Sequence, residues 1–221
     1  MSEADPELIA ENLACRRGER WIFTGLSFRV AAGGALVLAG SNGSGKTSLL
    51  RILATLMPAA GGRLLWGTAP IEMDLTAYRA QLIYVGHQDR VKPSLTPRET
   101  LAFWAALHGL EAHRPPLLDA ALGAFALEEM ADWPCGWLSA GQRRRLALAA
   151  LVAAPAPIWL LDEPTSGLDY ESQIRLERTI ATHRAAGGRV IVASHTPIDI
   201  AAAVVLTLDA FSLSPEYAAA G

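Results

Sequence analysis

Gly40, Ser41, Asn42, Gly43, Ser44, Gly45, Lys46 and Thr47 follow the spacing G-x-x-x-x-G-K-[ST]. Chemistry of one kind suits such a run. Glycines let the backbone approach a bulky anion and take angles closed to residues with a Cβ. A loop leading into a helix N-terminus directs several backbone N–H groups, and the positive end of the helix dipole, at one spot. That spot suits a polyphosphate. Lys46 is placed to reach its β- and γ-phosphates, and the Thr47 hydroxyl to hold Mg²⁺. The flanks agree. Ala35 to Ala39 is a short apolar run of strand length, and Ser48 to Leu56 carries leucines and isoleucine at helical spacing.

A second run, Ile158-Trp-Leu-Leu followed by Asp162 and Glu163, ends an apolar strand in two carboxylates. Behind a phosphate loop, an aspartate there supports the Mg²⁺ at Thr47, and Glu163 is placed to orient or deprotonate an attacking water.

These stations need strands to carry them. Leu8–Ala14 and Trp21–Val30 read as strands joined by a turn at residues 16–20, Arg63–Trp66 as a short strand, and Gln81–Val85 as an apolar strand ending at Gly86, His87 and Gln88. Past Asp89 the pattern turns helical. Thr96-Pro-Arg-Glu99 is a capping box opening a helix to Gly109, and Arg114 starts another to about Leu127. Ser139-Ala-Gly-Gln142 is a second capping box, opening a long helix to about Ala153. Strands return at 158–161, 189–193 and 204–208, with a helix over 171–184, a short element after Pro197 and a loose tail from Ser212. Alternating strands and helices imply an α/β fold with a mostly parallel sheet covered on both faces. The helical interval reads as an inserted lobe. We expect one domain over 1–221, with residues 1–88 and 153–210 as core and 89–152 as lobe.

Composition narrows the classes. With 221 residues and 51% hydrophobic content, the chain can bury a substantial core. A net charge of -3 gives no general pull toward nucleic acid, and Arg143-Arg144-Arg145 reads as a solvated helix face. Cys15 and Cys135 lie too far apart for a metal or haem-attachment motif and suit a reducing compartment. Met1 to Glu7 is acidic and lacks the basic-then-apolar form of a secretion signal. Mean hydropathy is +0.24, yet the most apolar stretch, 146–161, is broken by Pro155 and Pro157 and falls short of the ~20 residues a membrane span needs. The apolar excess points to surface covered by a partner.

Beyond the phosphate loop, Leu138 followed by Ser139, Ala140, Gly141 and Gln142 resembles the signature motif of ATP-binding cassette (ABC) ATPases. Thr165 with Ser166, Gly167, Leu168 and Asp169 resembles their D-loop, Gln88 their Q-loop and His195 their switch histidine, over residues 8 to 208 in the family's order. The resemblance implies a P-loop NTPase fold of ABC type, with an N-terminal antiparallel β part and an inserted helical lobe. It implies ATP and Mg²⁺ as ligands, with Gly40 to Ser48 holding ATP, Thr47, Gln88 and Asp162 around the metal, and Glu163, His195 and Gln88 in catalysis. It also implies a homodimer on ATP binding, in which Ser139 to Gln142 of one chain close over ATP on the other. Two departures stand out. Arg17 occupies the position under adenine where the family has an aromatic side chain, with Trp21 nearby. Ala140 replaces a glycine of the signature.

Within the family, Gly86-His87-Gln88 with Lys92, Leu95-Thr96 and Glu99-Thr-Leu101 resembles the haem-exporter ATPases of cytochrome c maturation. That similarity implies peripheral attachment to the cytoplasmic face of the inner membrane through subunits of CcmB, CcmC and CcmD type, and a link to the haem chaperone CcmE. It implies no nucleic-acid partner. The competing readings are an ATPase for another exporter and a soluble cassette acting on nucleic acid or ribosomes. The expected docking surface is the cleft between sheet and lobe, near 89–95 and Phe103-Trp104.

Overall fold

A computed structural model describes residues 5–89, 91–110, 115–154 and 156–212. β1 (Leu8–Arg17) and β2 (Arg20–Val30) form an antiparallel hairpin, whose strands run further into the expected turn than the apolar pattern indicates. β3 (Ala35–Ala39) leads through the glycine loop into α1 (Lys46–Leu53). β4 (Gly61–Trp66) and the two-residue β5 (Ala69–Pro70) complete a four-stranded sheet in the order β2-β1-β4-β5. A short α2 (Leu75–Ala80), capped by the Asp74 carboxylate accepting from the Ala77 N–H, precedes β6 (Leu82–Val85).

Three helices then intervene: α3 (Pro97–Leu107), α4 (Pro115–Ala124) and α5 (Ala140–Ala153). Both expected capping boxes are closed reciprocally, by Thr96 with Glu99 and by Ser139 with Gln142. Arg114, the expected start of α4, lies outside the described residues, as do Arg90, Pro155, residues 1–4 and the tail from 213. β7 (Ile158–Asp162), α6 (Tyr170–Ala185), β8 (Arg189–Ala193) and β9 (Val204–Thr207) follow. After Pro197 the chain is irregular rather than forming the expected short element. Among the described residues, no helix is long and apolar enough to cross a membrane.

The second sheet is parallel, in the order β6-β7-β8-β3-β9. Alternate residues on a strand face opposite sides, and β7 and β8 use both. Trp159, Leu161, Val190 and Val192 join the core beneath α5 and α6, whereas Ile158, Leu160, Ile191 and Ala193 join the core around α1 and the β1–β2 hairpin. Burial on both faces explains why these strands read as unbroken apolar runs. Register then fixes the site. Asp162 pairs with Ala193, and Ala193 with Leu38, so β7, β8 and β3 end level. Gly40, Glu163 and His195 leave the sheet side by side at its carboxyl edge, where open α/β sheets bind ligands.

Candidate active site

Gly45 stands at the N-cap of α1 with φ 103°. A Cβ there would lie 2.6 Å from Ile22 Cγ2, so any larger residue would push α1 off the hairpin. Behind it, Lys46 is 7% exposed and folds across the loop, donating to the carbonyls of Gly40 at 2.7 Å and Ser41 at 3.1 Å. The buried Ser44 hydroxyl, also in the loop, has no partner among the described residues. Asp209, just after β9, grips the loop from outside. Its carboxylate accepts from the Ser41 N–H at 2.9 Å and the Ser41 hydroxyl at 2.7 Å, and these bonds hold its carboxyl below the ordinary range. Nothing in the sequence flags Asp209, because 168 residues separate the pair.

Asp162 is 2% exposed at the end of β7. One oxygen accepts from the Thr47 hydroxyl at 3.1 Å and the other from Tyr84 at 3.2 Å. Burial raises the Tyr84 phenol pKa, and the Asp162 charge adds to the effect, which keeps Tyr84 a donor. Glu163 follows with φ 49°, a left-handed backbone that costs a residue with a side chain about 1–3 kcal/mol. Its N–H extends the ladder to the Ala193 carbonyl at 2.8 Å, and its side chain turns back to accept from the His195 N–H at 3.1 Å. The His195 ring sits close, Nε2 lying 3.5 Å from the other carboxylate oxygen. A cavity of about 410 Å³ collects Gly43, Gly45, Lys46, Thr47, Ser48, Asp162, Glu163 and His195, with Arg17 and Ile22 on the hairpin side. Trp21 is not in its wall and lies instead under the Arg16 guanidinium, 5.7 Å from the ring centroid.

The second set lies elsewhere. Ser139, Gly141 and Gln142 share a depression of about 120 Å³ with Gly167, Leu168 and Asp169. Ala140 is the first residue of α5, so its helical N–H is retained. A Cβ on Gly141 would stand 3.3 Å from the Gly167 carbonyl. Asp169 caps α6, accepting from the Ser172 N–H at 2.8 Å, and hydrogen bonding from the Ser172 side chain and then its backbone lowers the Asp169 pKa. Ser166 bonds back to the Glu163 carbonyl at 3.2 Å. This depression and the 410 Å³ cavity share no residue in their walls.

Residues 23–166 match the family model described as ABC transporter. The chain belongs to the ABC transporter family. As an ABC ATP-binding domain it binds nucleotide and is an ATPase. It is 54% identical to the cytochrome c biogenesis ATP-binding export protein CcmA of Rhodospirillum rubrum, over 98% of this chain and 92% of that one. The CcmA of Paramagnetospirillum magneticum is 50% identical, over 96% and 99%. Among solved structures, a putative ABC transporter ATP-binding protein from Pyrococcus furiosus superimposes with a TM-score of 0.81 at 22% identity, covering 94% of this chain and all of that one.

Two placements in this ABC ATPase depart from expectation. Gln88 does not reach the phosphate cavity. It lines an apolar cleft with Ile83, Val85, Val91, Trp104 and Ala147, while its neighbour His87 lines the 410 Å³ cavity. Arg144 is no solvated residue. It is 3% exposed and inserted between the segments following β6 and β7. A helical-face count carries the missed signal, since Arg144, Leu148 and Leu151 share one stripe of α5 and all are buried.

Proposed function

We propose that this chain is the ATP-hydrolysing motor subunit of a membrane ABC complex for cytochrome c biogenesis. The observation that carries the reading is identity of 50–54% to CcmA proteins over nearly the whole of both chains. The complex exports haem or releases a haem-loaded chaperone of CcmE type. Its cassettes attach peripherally to the cytoplasmic face of the inner membrane through subunits of CcmB, CcmC and CcmD type.

In this reading Lys46 and the backbone of Gly40 to Ser48 hold the phosphates of ATP, and the Arg17 plane and Ile22 flank the base. Thr47 and Asp162 offer oxygen ligands of the kind Mg²⁺ prefers. Bound there, Mg²⁺ neutralises charge on the β- and γ-phosphate oxygens. Glu163 orients the attacking water and takes its proton, and the His195 ring steadies the γ-phosphate. The helix N-terminus at Ser139 to Gln142 is a second anion site, in a depression separate from the first cavity. Two chains packed head to tail bring the two sites together over one ATP, with Ser166 to Asp169 alongside.

The 89–152 lobe carries the docking surface. The cleft lined by Val91, Trp104 and Ala147 is apolar, with Gln88 at its edge, and suits a partner's cytoplasmic helix. Phe103, packed edge-on against Trp104 at 5.9 Å, stays exposed beside it. Val91→Asp together with Trp104→Glu is expected to release the protein from membranes while leaving the Kd for ATP within about twofold. Fractionation with nucleotide titration checks this, and parallel loss of ATP binding counts against it. The assignment itself is tested by isolating the complex from membranes and identifying its partners by mass spectrometry. Recovery with cytochrome c biogenesis subunits is expected. Membrane subunits of another exporter, or nucleic acid and ribosomes, overturn it.

A further inference from the structure

The Arg144 guanidinium uses all five of its N–H donors. Nη2 donates to the carbonyls of Glu163 at 2.6 Å and Asp162 at 3.2 Å, and Nε to that of Pro164 at 3.3 Å. Nη1 donates to the Gly86 carbonyl at 2.8 Å and to Asp89 Oδ1 at 2.9 Å. Three of the five acceptors belong to the turn in which Glu163 holds its left-handed backbone. The other two belong to the segment after β6, which runs between the phosphate cavity and the apolar cleft. Asp89 is the one anion among the five. A rigid planar fork spans these acceptors, whereas a lysine ammonium, with three donors on one atom, reaches only one side.

We propose that Arg144 is a positioning residue for ATP hydrolysis. It locks the Asp162–Pro164 turn to the Gly86–Asp89 segment, and so holds the Glu163 carboxylate where it meets the attacking water. It lies outside the wall of the phosphate cavity and acts through Glu163. The inference rests on the reading of Glu163 as the residue that handles that water. It also gives the triple arginine a division of labour. Arg145 donates to the carbonyls of Phe125 and Ala126 within the lobe, and Arg143 to the Leu138 carbonyl beside the signature.

The test is steady-state ATP hydrolysis by the full chain carrying Arg144→Gln, Arg144→Lys, Asp89→Ala or Glu163→Gln, with KM, kcat and Mg·ATP-dependent dimerisation measured for each. Arg144→Gln is expected to lower kcat tenfold or more, with KM and dimerisation held within threefold. Arg144→Lys restores part of that loss, and Asp89→Ala lowers kcat about threefold at unchanged KM. Parental kcat in Arg144→Gln overturns the proposal, as does joint loss of KM, kcat and dimerisation in the Arg144 and Asp89 variants, which marks a purely structural role. Should the Arg144 variants fail to fold, Asp89→Ala decides: reduced kcat at constant KM supports the proposal, and unchanged kcat overturns it. Near-parental turnover by Glu163→Gln removes the underlying reading, whereas parental Arg144→Gln beside an inactive Glu163→Gln removes this inference alone.

Discussion

Glu163→Gln is expected to reduce ATP turnover by ~10²–10⁴, the usual cost of losing a positioned base, or about 3–5 kcal/mol of barrier. The substitution is chosen because shape survives it. An amide oxygen can still accept from the His195 N–H that now bonds the carboxylate at 3.1 Å, and the backbone bond to Ala193 is untouched. What disappears is the capacity to take a proton. Nucleotide binding, which in the proposed reading draws on Lys46, Thr47 and the loop backbone, should persist, so the variant is expected to accumulate in the ATP-bound state and to dimerise with Mg·ATP. Phosphate release and light scattering, run side by side, check both halves. Turnover near that of the parent refutes the role of Glu163. A variant that stays monomeric at saturating Mg·ATP, even beside its membrane partners, refutes the two-chain site.

Much of this site was legible because it is built from backbone. A phosphate loop needs glycine at particular positions and a strand and helix on either side, and all three leave marks in the sequence. β7 and β8 were legible for a related reason, since both of their faces are covered and nothing interrupts the apolar run. Capping boxes placed the starts of α3 and α5 because the reciprocal bonds of Thr96 with Glu99 and Ser139 with Gln142 span only three residues. Contacts between distant segments were another matter. Asp209 on Ser41 and Arg144 on Glu163 depend on strand order and helix rotation, which residue types do not announce. α2 was missed because six residues are too few to show a period, although Asp74 was a readable cap. The placement of Gln88 on the apolar cleft and of His87 on the phosphate cavity depends likewise on how the chain bends after β6.

Lys46→Ala should fail in a different way. The ammonium is nearly buried and, without a ligand, spends its hydrogen bonds on the Gly40 and Ser41 carbonyls. A γ-phosphate offers a charged acceptor in place of a neutral one, and a hydrogen bond to a charged group is worth about 1.5–3 kcal/mol. Its loss corresponds to a Kd for ATP raised by about ten- to a hundredfold. Alanine is a strong helix former, so α1 should keep its length and the far-ultraviolet circular dichroism of the protein its shape. Lys46→Arg is no remedy, because a wider planar fork must enter a space shaped for a slim chain. Calorimetric titration with Mg·ATP checks the prediction, and a Kd within twofold of the parent refutes it. The two variants also test each other. If Glu163→Gln binds ATP and dimerises while Lys46→Ala does neither, holding the phosphates and attacking them belong to different residues of one cavity. If both lose binding together, the carboxylate is part of the cradle and its role in proton transfer falls.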